Sequence, residues 1–301
     1  MIDIIITSYN EPKATLIAVN AFLSQKINSD FRITVCDPFP EVEEFLKKNV
    51  KDKRFNFFLD PGDGKSVALN ILINELNSKN NSDIFIFTDG DVHVSENSVN
   101  EIFEEFKDEE TGCVTGKPVS LDDRKIKLGY WSHLLFDGIN KVRKKLSDEK
   151  RFFECSGYLF AIRKGVIEEF PIDASEDSII PHLFWKKGYK IKYSQMAEVY
   201  VKNPTNWKDW KTQKKRNIKG HENLKKISPN IKRTKSFFNE VKHGFFYALF
   251  YSRNVKEFFW TINLFLARFL IYIQAFKELR KKEVYSDGWR ETEINSTKPF
   301  D

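Results

Sequence analysis

Three cysteines in 301 residues, Cys36, Cys113 and Cys155, are too few for a disulfide framework, and without any Cys-x-x-Cys pair they do not make a zinc site. Buried free thiols in a reducing compartment are expected instead. A basic lead and an apolar leader core are also missing, because Met1 runs directly into the strand-like Ile2 to Thr7. No secretory leader is therefore expected, and the chain is expected to work in the cytoplasm. An uninterrupted membrane-spanning run is lacking too. Phe258 to Phe276 comes nearest, but Arg268 sits near its centre, where insertion costs roughly 2.5 to 3.5 kcal/mol. Charge of one sign is scarce overall: 49 Lys plus Arg against 43 Asp plus Glu leave +6, too little to imply a partner. No internal repeat or low-complexity linker is present.

What is present is uneven. Between Lys208 and Lys235, 11 basic residues accompany only two acids, Asp209 and Glu222, so this stretch faces anions or water while the remainder is slightly acidic. Earlier in the chain, apolar runs alternate with helical periods. Ile2 to Thr7, Arg32 to Cys36, Phe55 to Leu59 and Ile84 to Thr88 read as strands, separated by helices opened by Pro12 and Pro40 and by the pattern Ser66 to Leu76. That alternation predicts a mainly parallel sheet with helices on both faces, with ligands bound at the carboxyl ends of its strands. Polar clusters fall at those ends: Ser8 to Glu11, Asp37, Pro61 to Lys65, and Asp89 to Asp91. Farther on, a helix is expected over Ile126 to Lys145 and a strand over Tyr158 to Ile162.

The run Ile84-Phe-Ile-Phe-Thr-Asp89-Gly-Asp91 ends a buried strand in two carboxylates separated by a glycine that admits a ligand close to the backbone. Oxygen ligands at this spacing suit Mg or Mn carried by phosphates, although acids are also common in ordinary strand-end turns. His93 is a candidate additional ligand, against the plainer reading of a satisfied surface or core histidine. Gly62-Asp-Gly-Lys65-Ser66 invites a phosphate-loop reading, but such a loop needs glycine five residues before Gly64, and Leu59 stands there. A P-loop-like phosphotransferase is the competing enzyme class, and a non-catalytic module for anionic surfaces the competing binding class.

The ordered set Ser8-Tyr-Asn-Glu11, Asp37, Gly64-Lys-Ser-Val-Ala-Leu-Asn70, Asp89-Gly-Asp91, Cys155-Ser-Gly-Tyr-Leu-Phe-Ala-Ile-Arg163, Ser175-Glu-Asp177 and Gln213-Lys-Lys-Arg216 resembles family 2 glycosyltransferases of the A-type fold. The pattern is nearest the membrane-associated, cellulose- and hyaluronan-synthase-like branch, and covers about residues 2 to 220. The resemblance implies an α/β fold, A-type and Rossmann-like, in which Ser8, Glu11 and Asp37 hold the nucleoside of a nucleotide-diphosphate-sugar and Lys65 approaches the nucleotide. It implies that Asp89 and Asp91 bind the donor with its Mg or Mn ion, that Gln213 and Arg216 meet the diphosphate, and that Asp177 is the catalytic base, with Glu176 and Gly157 on the acceptor side. A carboxylate opposite the leaving diphosphate makes chemical sense of Asp177 as base for an inverting displacement. The plainer alternative is that Glu176 and Asp177 open a helix running through Ile179 to Trp185, where acids suit the helix dipole.

Position 217 is Asn where the family pattern has Trp, so a single addition or short extension is expected in place of processive synthesis. Four regions are expected: a catalytic domain over 1–205, a basic segment with the Gln-x-x-Arg motif over 206–240, an aromatic amphipathic helical region over 241–280, and a polar tail over 281–301. Lys256, Asn263, Gln274 and Lys277 fall on one stripe of the aromatic region with Phe, Leu, Ile and Trp around the rest. With the basic segment, this leads to the expectation of a peripheral protein on the inner face of an anionic membrane, meeting a glycan or lipid-linked acceptor there. A helix buried against the domain or a second copy is the alternative. No recognisable nucleic-acid-binding module is present, and no nucleic-acid partner is expected.

Overall fold

The computed structural model describes residues 1–79, 83–172, 175–227 and 237–280. Residues 228–235 of the basic stretch and the tail 281–301 therefore lie outside the described residues. The first half alternates as expected: β1 (Ile2–Thr7), α1 (Pro12–Leu23), β2 (Phe31–Asp37), α2 (Pro40–Asn49), β3 (Phe55–Leu59), α3 (Lys65–Lys79) and β4 (Ile84–Asp89). Pro12 and Pro40 sit in the first turns of their helices, where the missing N–H costs nothing. The second half contains β5 (His93–Val94), α4 (Ser98–Glu105), β6 (Thr111–Ser120), α5 (Lys127–Asp148), β7 (Leu159–Arg163), α6 (Glu176–Lys186), β8 (Lys190–Val201), α7 (Trp207–Ile227), α8 (Phe237–Tyr251) and α9 (Val255–Arg280).

Eight strands form one sheet in the order β3-β2-β1-β4-β7-β6-β8-β5. The pairs β1/β2, β1/β4, β2/β3 and β6/β8 are parallel, whereas β7 runs antiparallel to both β4 and β6, and β5 antiparallel to β8. Inserting β7 against β4 brings Tyr158, just ahead of β7, beside the carboxyl end of β4, where Thr88 Oγ1 donates to the Tyr158 carbonyl at 2.7 Å. Residues on alternate faces of the central strands feed two cores. Ile4, Ile6, Val35 and Ile86 pack under α1, α2 and α4, while Ile5, Phe85, Phe87 and Phe160 pack under α3 and α6.

A third core lies away from the sheet. Trp131 and Leu134 of α5, Trp210 and Ile218 of α7, Ala248 of α8, and Leu264 and Ile271 of α9 close on one another. The aromatic run is thus two helices joined by residues 252–254, and α7 packs on α9 rather than standing apart.

Two long strands, β6 and β8, were not expected from pattern. Glycine is present in β6 because there is no space for a side chain: a Cβ on Gly112 would stand 2.5 Å from the Phe184 ring, and one on Gly116 2.7 Å from the Ala197 carbonyl.

Candidate functional site

The site is assembled where β1, β2 and β4 end. Asp37, the last residue of β2, is completely buried; its carboxylate accepts hydrogen bonds from the N–H of Phe39 at 2.9 Å and of Asn10 at 3.0 Å. Asn10 can donate because it takes a left-handed conformation, φ 54°, tolerable for asparagine. Burial raises the Asp37 pKa above its ordinary value, opposed by hydrogen bonds from Ser8, Phe39 and Asn10 and assisted by nearby Asp60. Ser8 and Glu11 are buried around it, with Ser8 Oγ 2.7 Å from Thr15 Oγ1. The three residues expected to hold a nucleoside are thus one cluster.

Gly90 has a packing reason to be small beside the one expected. A Cβ there would lie 2.9 Å from both Ser8 Cβ and Thr15 Oγ1, and the Gly90 N–H donates to the Thr7 carbonyl at 2.7 Å. That space is filled by the protein itself, which holds the end of β4 against the β1 loop, with the Thr7 hydroxyl donating to Asp89 Oδ1 at 3.3 Å.

Gly62 and Gly64 adopt φ of 89° and 110°, conformations that favour glycine, and turn the chain from β3 into α3. Lys65 begins that helix. Its ammonium donates to Asp89 Oδ1 at 3.1 Å and forms a second, short ion pair with Glu176. Burial works against its charge, but the carboxylates of Asp89 and Glu176 override that and hold its pKa above that of a free lysine. Burial raises Glu176, Lys65 pulls it down, and neighbouring Asp177 adds to the rise. Asn70, farther along α3, clamps Phe170 through two hydrogen bonds, a structural duty.

Glu176 and Asp177 do occupy the first turn of α6. Ser175 precedes them as the cap residue, yet its hydroxyl donates to Asp177 Oδ1 and accepts no capping hydrogen bond from a backbone N–H; Ser178 Oγ donates to the same oxygen at 3.3 Å. Gly157 faces this carboxylate, and a Cβ there would stand 3.9 Å from Asp177 Oδ2. A helix start and a positioned carboxylate are therefore the same feature.

Two contributors escaped the sequence reading. Tyr158 follows Gly157, and burial followed by the charges of Asp91 and Asp89 raises its pKa, with Arg216 opposing and Asp177 adding. Tyr158 is thus a residue whose phenol feels the charges at the end of β4 and whose carbonyl accepts a hydrogen bond from the Thr88 hydroxyl there. Arg143 of α5 is buried and donates to the carbonyls of Glu154 at 3.1 Å and Cys155 at 2.7 Å, while the Cys155 N–H donates to the Asp177 carbonyl at 2.9 Å. It secures the turn leading into Gly157, a task hidden in what reads as one more charge on a helix. An aromatic directly after Ser-Gly was the available signal for Tyr158.

Arg216 on α7 is exposed, and the buried side-chain oxygen of Gln213 accepts no hydrogen bond among the described residues. His93 sits on β5, its ring 5.0 Å from that of its ladder partner Tyr200, and burial lowers its pKa. Among the described residues no three His, Cys, Asp or Glu side chains assemble as a metal group. Asp89 and Asp91 are both half-buried at one strand end, so the expected cation would find two carboxylates there. That donor set fits a hard divalent ion arriving with phosphate oxygens of its own.

A family model for glycosyl transferase family 2 matches residues 3–170, a span that stops short of Asp177, Gln213 and Arg216. No protein of curated function matches the sequence. The mannosyltransferase PcManGT from Pyrobaculum calidifontis, solved with GDP-Man and Mn2+, superposes with a TM-score of 0.59 at 16% identity over 93% of this chain and 81% of that one. Residues 1–349 of S. aureus TarS, solved with UDP-GlcNAc, give 0.50 at 12% identity over 99% and 98%. At these identities the likeness is one of fold.

Proposed function

The chain belongs to glycosyl transferase family 2 and has an A-type glycosyltransferase fold, and on that premise we propose that it moves a glycosyl group from a nucleotide-diphosphate-sugar to an acceptor hydroxyl with inversion at the anomeric carbon. The observation that supports this reading is that Lys65 bridges Asp89, at the end of β4, to Glu176, the neighbour of the serine-held Asp177. That bridge is consistent with a cation-binding carboxylate on one side of the reaction and a separate, serine-held carboxylate on the other.

In this reading Ser8, Glu11 and Asp37 hold the nucleoside, and Lys65, Gln213 and Arg216 attend the diphosphate. Asp89 and Asp91 would hold Mg or Mn, which when bound neutralises charge on the leaving diphosphate. Asp177 takes the proton of the acceptor hydroxyl as that oxygen bonds to the anomeric carbon. The bond from that carbon to the diphosphate oxygen breaks, and its electron pair leaves with the nucleoside diphosphate. Arg216 meets the departing charge with a planar fork that matches phosphate oxygens. A single displacement with a single base inverts the centre. Glu176 and Gly157 border the acceptor side.

Asn217 offers no indole for stacking a terminal sugar, which favours a single addition or a short extension. The acceptor is a hydroxyl of a glycan or lipid-linked glycan, reached from the cytoplasmic face of a membrane. Three buried free thiols suit that reducing side.

The test is incubation with uridine, guanosine, thymidine and adenosine diphosphate sugars, with Mn or Mg, and detection of free nucleoside diphosphate. Release from at least one donor is expected, stimulated by the ion. No release and no calorimetrically detectable binding of any donor would overturn the reading.

A further inference from the structure

We infer that the outward face of α8 and α9 is a docking surface for an anionic lipid bilayer. The inference deepens the transferase reading by naming where the acceptor is met, but it stands on different residues.

In α9 the usual sorting of a surface helix is missing, because both its buried and its exposed side are apolar. The stripe turned toward the protein is Glu257, Thr261, Leu264, Ala267, Ile271, Tyr272 and Ala275, a mixture of polar, small and large apolar residues packed on α5, α7 and α8. The outward side is bulky and apolar too. Phe259, Leu266, Phe269 and Leu270 are exposed on α9, and Phe246 and Phe250 on α8 are exposed by 71% and 86%. Lys256, Asn263, Gln274 and Lys277 share this outward side rather than opposing it. An apolar patch of this extent is uncommon on a surface meant for water.

Arg268 does not divide the patch. Its guanidinium lies 5.1 Å from the centre of the Tyr272 ring, and Tyr272 itself is buried.

The charges identify the occupant. Within residues 244–280 the two acids turn inward: Glu257 is bound by Arg124, at 3.1 and 3.2 Å, and Glu278 by Lys215 and Lys219, both at 2.6 Å. The charges left exposed, Arg253, Lys256, Lys277 and Arg280, are all basic. An apolar face whose exposed charges over residues 244–280 are all basic, with Asp137 of α5 tied to the Tyr251 hydroxyl beside it, complements an anionic headgroup layer. A symmetric pairing with a second copy would bring the same basic edge against itself.

The surface rests on the bilayer without crossing it. Although α9 has the length and hydropathy of a spanning helix, the outer side of its neighbour α5 exposes Lys127, Asp137, Lys141, Lys144 and Lys145, which hydrocarbon would not accept.

Flotation with phosphatidylcholine vesicles, with and without phosphatidylglycerol, tests the inference on the full chain. The intact chain should rise with the anionic vesicles at low salt, and rise less in high salt as the basic edge is screened. The double variant Phe250→Glu, Leu270→Glu alters exposed positions only, so its circular dichroism and melting should match the parent. Its partitioning should fall at least about tenfold. The inference is overturned if the parent stays unbound on anionic vesicles at low salt, or if the folded double variant floats equally well. It is also overturned if sedimentation reveals a dimer that the double variant dissolves while neither protein floats, which would make the face a self-interface. Flotation reads no turnover. A chain that floats but neither releases nucleoside diphosphate nor binds any donor leaves this surface standing and rejects the transferase reading, and the converse result rejects only the surface.

Discussion

Lys65 joins Asp89 at the end of β4 to Glu176 at the start of α6, 3.1 Å from Asp89 Oδ1 and in short contact with Glu176, so one ammonium is shared by carboxylates of both elements. Without it, Glu176 would lie buried beside Asp177 with no compensating cation. Lys65→Met should therefore lower stability by about 1.5 to 3 kcal/mol, the scale for losing a hydrogen bond to a charged group. Donor affinity should fall with it, since Asp89 loses its partner and the diphosphate loses a positive neighbour. Thermal melts and donor titration measure the two effects separately. Unchanged melting together with unchanged donor affinity would remove Lys65 from the site.

Gly90 offers a structural counterpart. A methyl at this position would meet Ser8 Cβ and Thr15 Oγ1 at 2.9 Å, and forcing extra volume into such packing costs about 1 to 3 kcal/mol. Gly90→Ala should melt several degrees lower and bind donor more weakly, because relief of the clash moves Asp89 and Asp91 away from Ser8. If the variant melts and binds as the parent does, the close approach of the β4 end to the β1 loop is not needed.

The contrast between the two halves of the sheet explains what the sequence made legible. Strands β1 to β4 are short apolar runs flanked by helices with clear starts at Pro12 and Pro40, and their order alone places Ser8, Asp37 and Asp89 at one edge. Strand β6 is interrupted by Gly112, Gly116 and Pro118 and shifts register twice against β8. Its glycines answer to Phe184 and Ala197, distant in sequence, so no local period announces it. The same holds within the site. Asp91 and Asp177 stand in recognisable motifs, whereas Arg143 acts through carbonyls that only the folded turn presents. In α9 the apolar residues were visible, but which side they faced depended on α5 and α7.

Asp177 and Gly157 can be separated by experiment. Asp177→Asn keeps an oxygen to accept from Ser175 and Ser178, so it should fold and bind donor normally while transferring sugar at least about a hundredfold more slowly, as for loss of a positioned base. Near-normal turnover would place the base elsewhere. Gly157→Ala adds a methyl in ordinary contact with Asp177, the nearest carboxylate oxygen being 3.9 Å away, and stability should change little. If acceptor binds beside Gly157, transfer should drop about tenfold or more, because displacement by an ångström is worth up to about a hundredfold. Hydrolysis of donor by water, a smaller nucleophile, should drop less. Equal losses in both reactions would show that the methyl disturbs the base and not the acceptor.

Asp37 makes the site sensitive to acid at an unusual pH. Burial foremost raises its pKa above that of an ordinary aspartate, against the hydrogen bonds from Ser8, Phe39 and Asn10. A carboxyl whose pKa is higher folded than unfolded holds its proton more tightly in the folded chain. Its contribution to stability is therefore full below the unfolded value of about 3.9 and is lost as pH rises through the folded value. Asp37→Asn is neutral throughout, so its stability relative to the parent should improve as pH rises across that window. Donor binding should respond in the opposite sense. If the ionised carboxylate accepts a hydrogen bond from the nucleoside, affinity in the parent should weaken on acidification before an ordinary aspartate would titrate. Glu176, also raised, is unchanged in the variant, so the difference between the two proteins isolates Asp37. Paired melts and donor titrations through the acidic range give both slopes. Parallel profiles for parent and variant would show that Asp37 neither titrates in this window nor carries the nucleoside contact.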